Sequence, residues 1–188
     1  MLSITVRNWI CVSSLFTIGR AAYHLRDHTL LQFVHQQLAA LREKVILPPL
    51  LSEIDLAQAY LYILSGEYEK VAEWIQEGRK GNLLQGATLY SSIVYGMYLI
   101  KIRNYAKLRV VASLLESQAH ERKQMFGTIY ALLFYCILLE EENHQEQIVE
   151  AVHHIIEICQ PDGIMAVILE IGKDGILSCS DSWRWRKL

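Results

Sequence analysis

Four short turn-like segments recur along this 188-residue chain at nearly equal intervals, and that spacing restricts the fold more than any other feature. They are Leu25-Arg26-Asp27-His28, Ser65-Gly66-Glu67-Tyr68, Ile102-Arg103-Asn104-Tyr105 and Glu142-Asn143-His144-Gln145, and their second residues lie 40, 37 and 40 positions apart. Seven residues before each second residue stands a small side chain: Gly19, Ala59, Gly96 and Cys136. Five residues after it stands an aliphatic one: Leu31, Val71, Leu108 and Ile148. A helical hairpin requires this pairing. One position of the first helix faces its partner's backbone and must be small for the axes to close up, while the aliphatic residue opens the buried stripe of the second helix.

The stripes step at the helical period. Leu108, Val111, Ala112 and Leu115 fall on one face, as do Ile148, Val152, Ile155 and Cys159. Ten Gly and three Pro are a light load of breakers, and 52% hydrophobic residues suffice for a substantial core. The expected fold is all-α, a superhelical array of about four antiparallel helix hairpins over residues 9–46, 50–80, 83–122 and 123–160. A capping helix over 162–173 completes a helical domain spanning 1–175, and 176–188 form a tail. Pro48-Pro49 closes the first hairpin, and Ser52 is the expected N-cap of the next helix. The two glycines of Glu77-Gly78-Arg79-Lys80-Gly81-Asn82 end the second hairpin, and Pro161-Asp162-Gly163 ends the fourth.

A net charge of −2 and a pI near 6.4 provide no whole-domain field for a nucleic-acid backbone or an anionic membrane, so direct nucleic-acid binding is not expected. The apolar run from Trp9 to Ile18 follows Arg7 as the core of a secretion signal would, but with a single basic residue before it the run reads better as the first helix of a repeat; that from Thr128 to Leu139 is too short to span a bilayer and ends in Glu140-Glu141-Glu142. Cys11, Cys136, Cys159 and Cys179 are far apart with no C-x-x-C pair, which points to free, mostly buried thiols in a reducing, cytoplasmic setting.

The small residue, turn Gly and turn Tyr of Ala59, Gly66 and Tyr68, followed by Val71, resemble the tetratricopeptide repeat; Gly96, Tyr105 and Leu108 keep part of the pattern, with Arg103 in place of the turn Gly. The longer period and the ending Ile155-Ile156-Glu157-Ile158-Cys159-Gln160-Pro161-Asp162-Gly163-Ile164 resemble the MalT-like repeat region of large ATP-dependent LuxR-family transcriptional regulators, over residues 10 to 175. The resemblance implies a signal-sensing domain that binds an effector or a protein and takes part in transcription regulation. The modules that flank such a region in the family have no counterpart here. No G-x-x-x-x-G-K-[ST] loop is present to hold a nucleotide, and the residues after Gly175 are too few for a helix-turn-helix reader. The alternative is a standalone adaptor that recruits a peptide or protein.

The same resemblance implies that the first helices line a concave groove. Ligand-binding candidates are then Arg20, Tyr23, Tyr60, Tyr90, Met97, Lys101 and Tyr130, with His24, Ile63, Ile100 and Glu140 nearby. Tyrosine faces and two cations suit a small-molecule effector or a peptide; the competing use of these tyrosines is to bridge neighbouring hairpins. Homo-oligomerisation is left open.

No catalysis and no cofactor or metal is expected. There is no G-x-S-x-G, H-E-x-x-H or Gly-rich fingerprint. Consecutive Glu140, Glu141 and Glu142 diverge around a helix, as do His153 and His154. His24, His28 and His35 are split by the turn at Asp27 and lack a fourth ligand. Trp183-Arg184-Trp185-Arg186-Lys187 mixes rings with cations, but over five residues it reads as a frayed end.

Overall fold

The computed structural model describes residues 4–79, 81–83, 88–162 and 166–172. All regular structure among them is helical. The chain divides into two compact units, Met1–Lys101 and Ile102–Leu188, a boundary that falls in the corner of the third expected hairpin.

The first unit contains α1 (Ile4–Leu25), α2 (His28–Lys44), α3 (Pro48–Ser65), a 3-10 turn (Tyr68–Lys70), α4 (Glu73–Gln76) and α5 (Thr88–Lys101). Helix α3 packs against α1 on one side and α5 on the other, while α2 packs on α1 and α3. Its core joins Val12, Leu15 and Ala22 of α1 to Leu31, Val34 and Leu38 of α2, and to Leu50, Ile54, Ala57 and Leu61 of α3. The second unit contains α6 (Tyr105–Arg122), α7 (Met125–Glu141), α8 (Gln145–Cys159), a 3-10 turn (Gln160–Asp162) and α9 (Ala166–Gly172). Helix α7 is its centre, packed by α6, α8 and α9. It buries Ile129, Leu133, Phe134, Cys136, Ile137 and Leu138, which accounts for its nearly uninterrupted apolar sequence. Tyr135 donates to Glu116 at 3.1 Å and Arg109 pairs with Glu142, tying α7 and its C-cap to α6.

The recurrent turns have a common backbone. Arg26, Gly66, Arg103 and Asn143 adopt φ of +57°, +79°, +54° and +60°, and Gly78 and Lys123, between hairpins, are the other described residues with positive φ. At Arg26 the Asp27 N–H donates to Ala22 O at 2.9 Å, and at Asn143 the His144 N–H donates to Leu139 O at 2.9 Å. Both are left-handed helix stops that satisfy the last carbonyls. The next helix starts at once: the Asp27 carboxylate accepts from the Leu30 N–H at 2.9 Å, and the Asn104 side chain accepts from the Lys107 N–H at 3.2 Å.

Gly19, Ala59, Gly96 and Cys136 are all buried, as are Leu31, Val71, Leu108 and Ile148. A Cβ on Gly19 would lie 2.6 Å from Leu61 Cδ1 and 3.2 Å from Val34 Cγ1. Glycine at this place lets α1 approach α2 and α3 together.

Three expectations need correction. Helix α3 begins at Pro48, with proline in its first turn, so Ser52 is not an N-cap: it lies inside the helix, where its hydroxyl accepts from the Asn82 N–H at 3.1 Å. The second hairpin lacks a full second helix. Val71 is buried, but the helix that follows is only the single turn Glu73–Gln76, because the chain turns at Gly78 and comes back onto α3. At Gly81 a Cβ would lie 2.9 Å from the Trp74 ring and 3.0 Å from Ser52 Oγ, so the returning strand of chain needs a bare backbone there. Finally, Cys11 is exposed, whereas Cys136 and Cys159 are buried. The expected cap corresponds to α9, which buries Val167 and Ile171. Cys179 and the Trp183–Lys187 tail lie outside the described residues.

Candidate functional site

The first-helix layer of the first unit brings together part of the expected set. Phe16 of α1 meets Tyr60 of α3 edge-on at 5.2 Å and Tyr90 of α5 at 5.8 Å, while Tyr60 and Tyr90 stack at 6.0 Å. The Arg20 guanidinium lies 5.8 Å from the Phe16 ring centre and 5.7 Å from that of Tyr60. Three helices thus contribute one ring each, and Arg20 lies against two of these rings, an arrangement stabilised by cation–π attraction of about 0.5–1 kcal/mol at exposed sites. Sequence reasoning named Arg20, Tyr60 and Tyr90 but missed Phe16, whose signal was its place four residues before Arg20 on the same face.

The remaining candidates separate. Met97 and Tyr130 retain only 4% and 5% of their exposure, and Tyr60, inside the ring cluster, 1%, so all three pack between helices and present little surface to a ligand; Tyr130 leans on Phe134 at 6.3 Å. Ile63 is likewise buried. Lys101, Ile100 and Glu140 are half-buried at the ends of α5 and α7. Tyr23 points elsewhere. It meets His24 edge-on at 5.5 Å and lines a cleft at the corner end of the first unit.

That cleft, about 630 Å³, lies between α2 and the corner of α3. Helix α2 contributes His28, Leu31, Gln32 and His35, the i, i+3, i+4 and i+7 positions of one stripe. The α3 corner contributes Tyr62, Ser65, Glu67 and Lys70, and the α1 corner contributes Tyr23, Arg26 and Asp27. His35 and Tyr62 stack face to face, 4.3 Å apart and 7° from parallel. Lys70, paired with Glu67, holds its ammonium 5.7 Å from the Tyr62 ring centre. Neither ring nitrogen of His35 has a hydrogen-bond partner among the described residues, and burial pushes the imidazole below its ordinary value while Glu67 opposes and Lys70 reinforces the shift. Burial also pushes Tyr62 up.

The truncated second hairpin explains the opening. In a regular array the second helices of adjacent hairpins lie side by side, but α4 is one turn long and α2 keeps an outer face on which Phe33 is half exposed. A second cavity of about 220 Å³ shares Tyr62 and Lys70 with the first and reaches Asp55. The Asp55 carboxylate accepts from Arg42 Nε at 2.7 Å and Trp74 Nε1 at 3.0 Å, which fastens α2 and α4 to α3. Sequence reasoning weighed His28 and His35 only as metal ligands and so missed their common face. No cluster of three or more His, Cys, Asp or Glu among the described residues has the arrangement of a metal site. No helix of the described residues is long and apolar enough to cross a membrane.

Comparison with known proteins finds no matching family model, curated protein or solved structure.

Proposed function

We propose that this chain is a non-catalytic sensor segment of the MalT-like, tetratricopeptide type, one that binds a small effector or a protein and passes the binding event to attached regulatory modules. The observation that carries the reading is the recurrence of one corner. Arg26, Gly66, Arg103 and Asn143 share a left-handed backbone, and each follows a buried small residue by seven positions, the hairpin pattern of the tetratricopeptide resemblance; the longer period and the ending Ile155 to Ile164 carry the resemblance to LuxR-family repeat regions. Helical repeats of this kind act by presenting surfaces, and the first unit offers two: the half-buried Phe16, Arg20 and Tyr90 over the buried Tyr60, and the 630 Å³ cleft. A ligand that favours one arrangement of the packed helices shifts the population toward it.

The native reading frame tests the regulatory part. A nucleotide-binding module encoded upstream and a helix-turn-helix module downstream are expected; a frame with neither overturns the regulator and leaves a freestanding adaptor. Thermal denaturation against a panel of small metabolites tests the sensing part, with a dose-dependent rise in midpoint as the expected result. Failure of every compound to move the midpoint, together with stoichiometric binding of a purified peptide partner, overturns small-molecule sensing.

A further inference from the structure

Within that reading, we infer that the cleft between α2 and the α3 corner is the effector site, and that its ligand is a small planar aromatic carboxylate whose ring lies against the His35–Tyr62 pair and whose anion reaches Arg26. The inference rests on the binding-module reading and gives it a place and a ligand chemistry.

Size comes first. A cleft of about 630 Å³ lies within the range of roughly 300–1,000 Å³ that takes one small molecule, and it is too small for a packed helix. Its wall is flat and aromatic. Two rings already lie parallel at 4.3 Å, and a third planar ring adds to such a stack with offset geometry and little reorganisation. Leu31 and Leu64 supply apolar wall around them.

Charge selects the ligand's sign. Glu67 pairs with Lys70, and the Asp27 carboxylate, which keeps its charge, is turned to the start of α2 by the Leu30 N–H. Arg26 has no ion-pair partner among the described residues, and it is carried on a corner fixed at φ +57° by Schellman-type hydrogen bonds. A guanidinium so placed binds a carboxylate through two parallel N–H donors. Lys70, held over the Tyr62 ring, is paired with Glu67 and leaves Arg26 to meet the anion.

His35 completes the match. An imidazole held neutral by burial offers one donor and one acceptor, and both of its nitrogens are unpaired within the protein. Leaving such a group unsatisfied costs about 1–3 kcal/mol, so a ligand whose arrival turns one of these buried nitrogens toward its polar edge gains where an apolar ligand does not.

The test is an NMR titration of the labelled full chain with benzoate, with acetate and benzyl alcohol as the charge-only and ring-only arms. Benzoate is expected to give saturable shifts confined to residues 26–35 and to Tyr62, with either fragment at least about tenfold weaker. Arg26→Gln, and His35→Phe, which keeps the stack, are each expected to weaken benzoate about tenfold while leaving the circular dichroism spectrum unchanged. Equal affinity for benzyl alcohol overturns anion recognition. Saturable shifts that map instead to Phe16, Tyr60 and Tyr90 overturn the cleft but leave the binding-module reading standing. No saturation by benzoate up to about 10 mM overturns the inference, whereas a saturating cleft in a chain whose reading frame lacks both flanking modules overturns only the regulator.

Discussion

Substituting Gly19 by alanine sets two effects of similar size against each other, and the structure determines which one wins. Alanine is favoured over glycine in a helix interior by about 1 kcal/mol. The added methyl, however, would sit 2.6 Å from Leu61 Cδ1, 3.1 Å from Leu61 Cδ2 and 3.2 Å from Val34 Cγ1, and overpacking of this kind costs about 1–3 kcal/mol. Leu61 and Val34 are fully buried, so neither can swing into solvent to relieve the contact. Gly19→Ala is therefore expected to destabilise the chain by about 1 kcal/mol. The sign reverses once the obstruction is removed. Leu61→Ala alone costs about 2–5 kcal/mol, but in that background Gly19→Ala occupies part of the vacated space and recovers its helix preference, stabilising by about 1 kcal/mol. The double-mutant cycle thus carries a coupling of roughly 1–3 kcal/mol. Urea denaturation followed by far-ultraviolet circular dichroism measures all four corners. If Gly19→Ala stabilises both backgrounds equally, α1 does not approach α3 closely at this residue, and the small-residue rule read from the sequence has no physical basis here.

The remaining predictions use other parts of the fold. Arg103→Gly is expected to stabilise by about 1 kcal/mol, because it relieves a left-handed backbone that costs side chains roughly that much, and Gly66→Ala to destabilise by about as much; denaturation midpoints that move in the same direction for both contradict the shared corner. Asp55→Ala removes the acceptor of Arg42 and Trp74 and should cost about 1–3 kcal/mol, with a red shift of Trp74 emission as α4 loosens; unchanged emission contradicts its role. The lowered folded-state value of His35 means that the unfolded chain takes up this proton first as pH falls. The corresponding stability is fully present above the unfolded value of about 6.5 and is lost as pH drops through the lower folded value. His35→Phe should flatten that part of the curve, and a pH profile superimposable on the wild type refutes the assignment.

The parts of the fold that were legible in the sequence are those fixed by local geometry. A small residue, a corner and an aliphatic anchor at constant offsets express one hairpin, and Arg26, Gly66, Arg103 and Asn143 have the same backbone even though only one of them is glycine. The periodicity marked the corner where residue identity did not. The second helix of the second hairpin was not legible, because Val71 to Gln76 has a helical pattern and its early end is set by tertiary contact: Gly81 against Trp74, and Asn82 on Ser52. The site was less legible than the fold. Tyr60, Met97 and Tyr130 have the composition of a binding surface, but their burial was decided by neighbours far along the chain. The cleft followed from the missing helix, so no reading that assumed four equal hairpins could place it.

Cys136 lies in the centre of α7, where burial pushes its thiol up to about 12. At neutral pH such a thiol stays protonated, so alkylating reagents reach it at a useful rate only when the surrounding helices part. Cys159 is buried in the same unit, and Cys11 is exposed in the other. The chain therefore carries built-in timers: the rate at which Cys136 and Cys159 become labelled, read peptide by peptide against the immediate reaction of Cys11, counts the openings around them with no engineered probe.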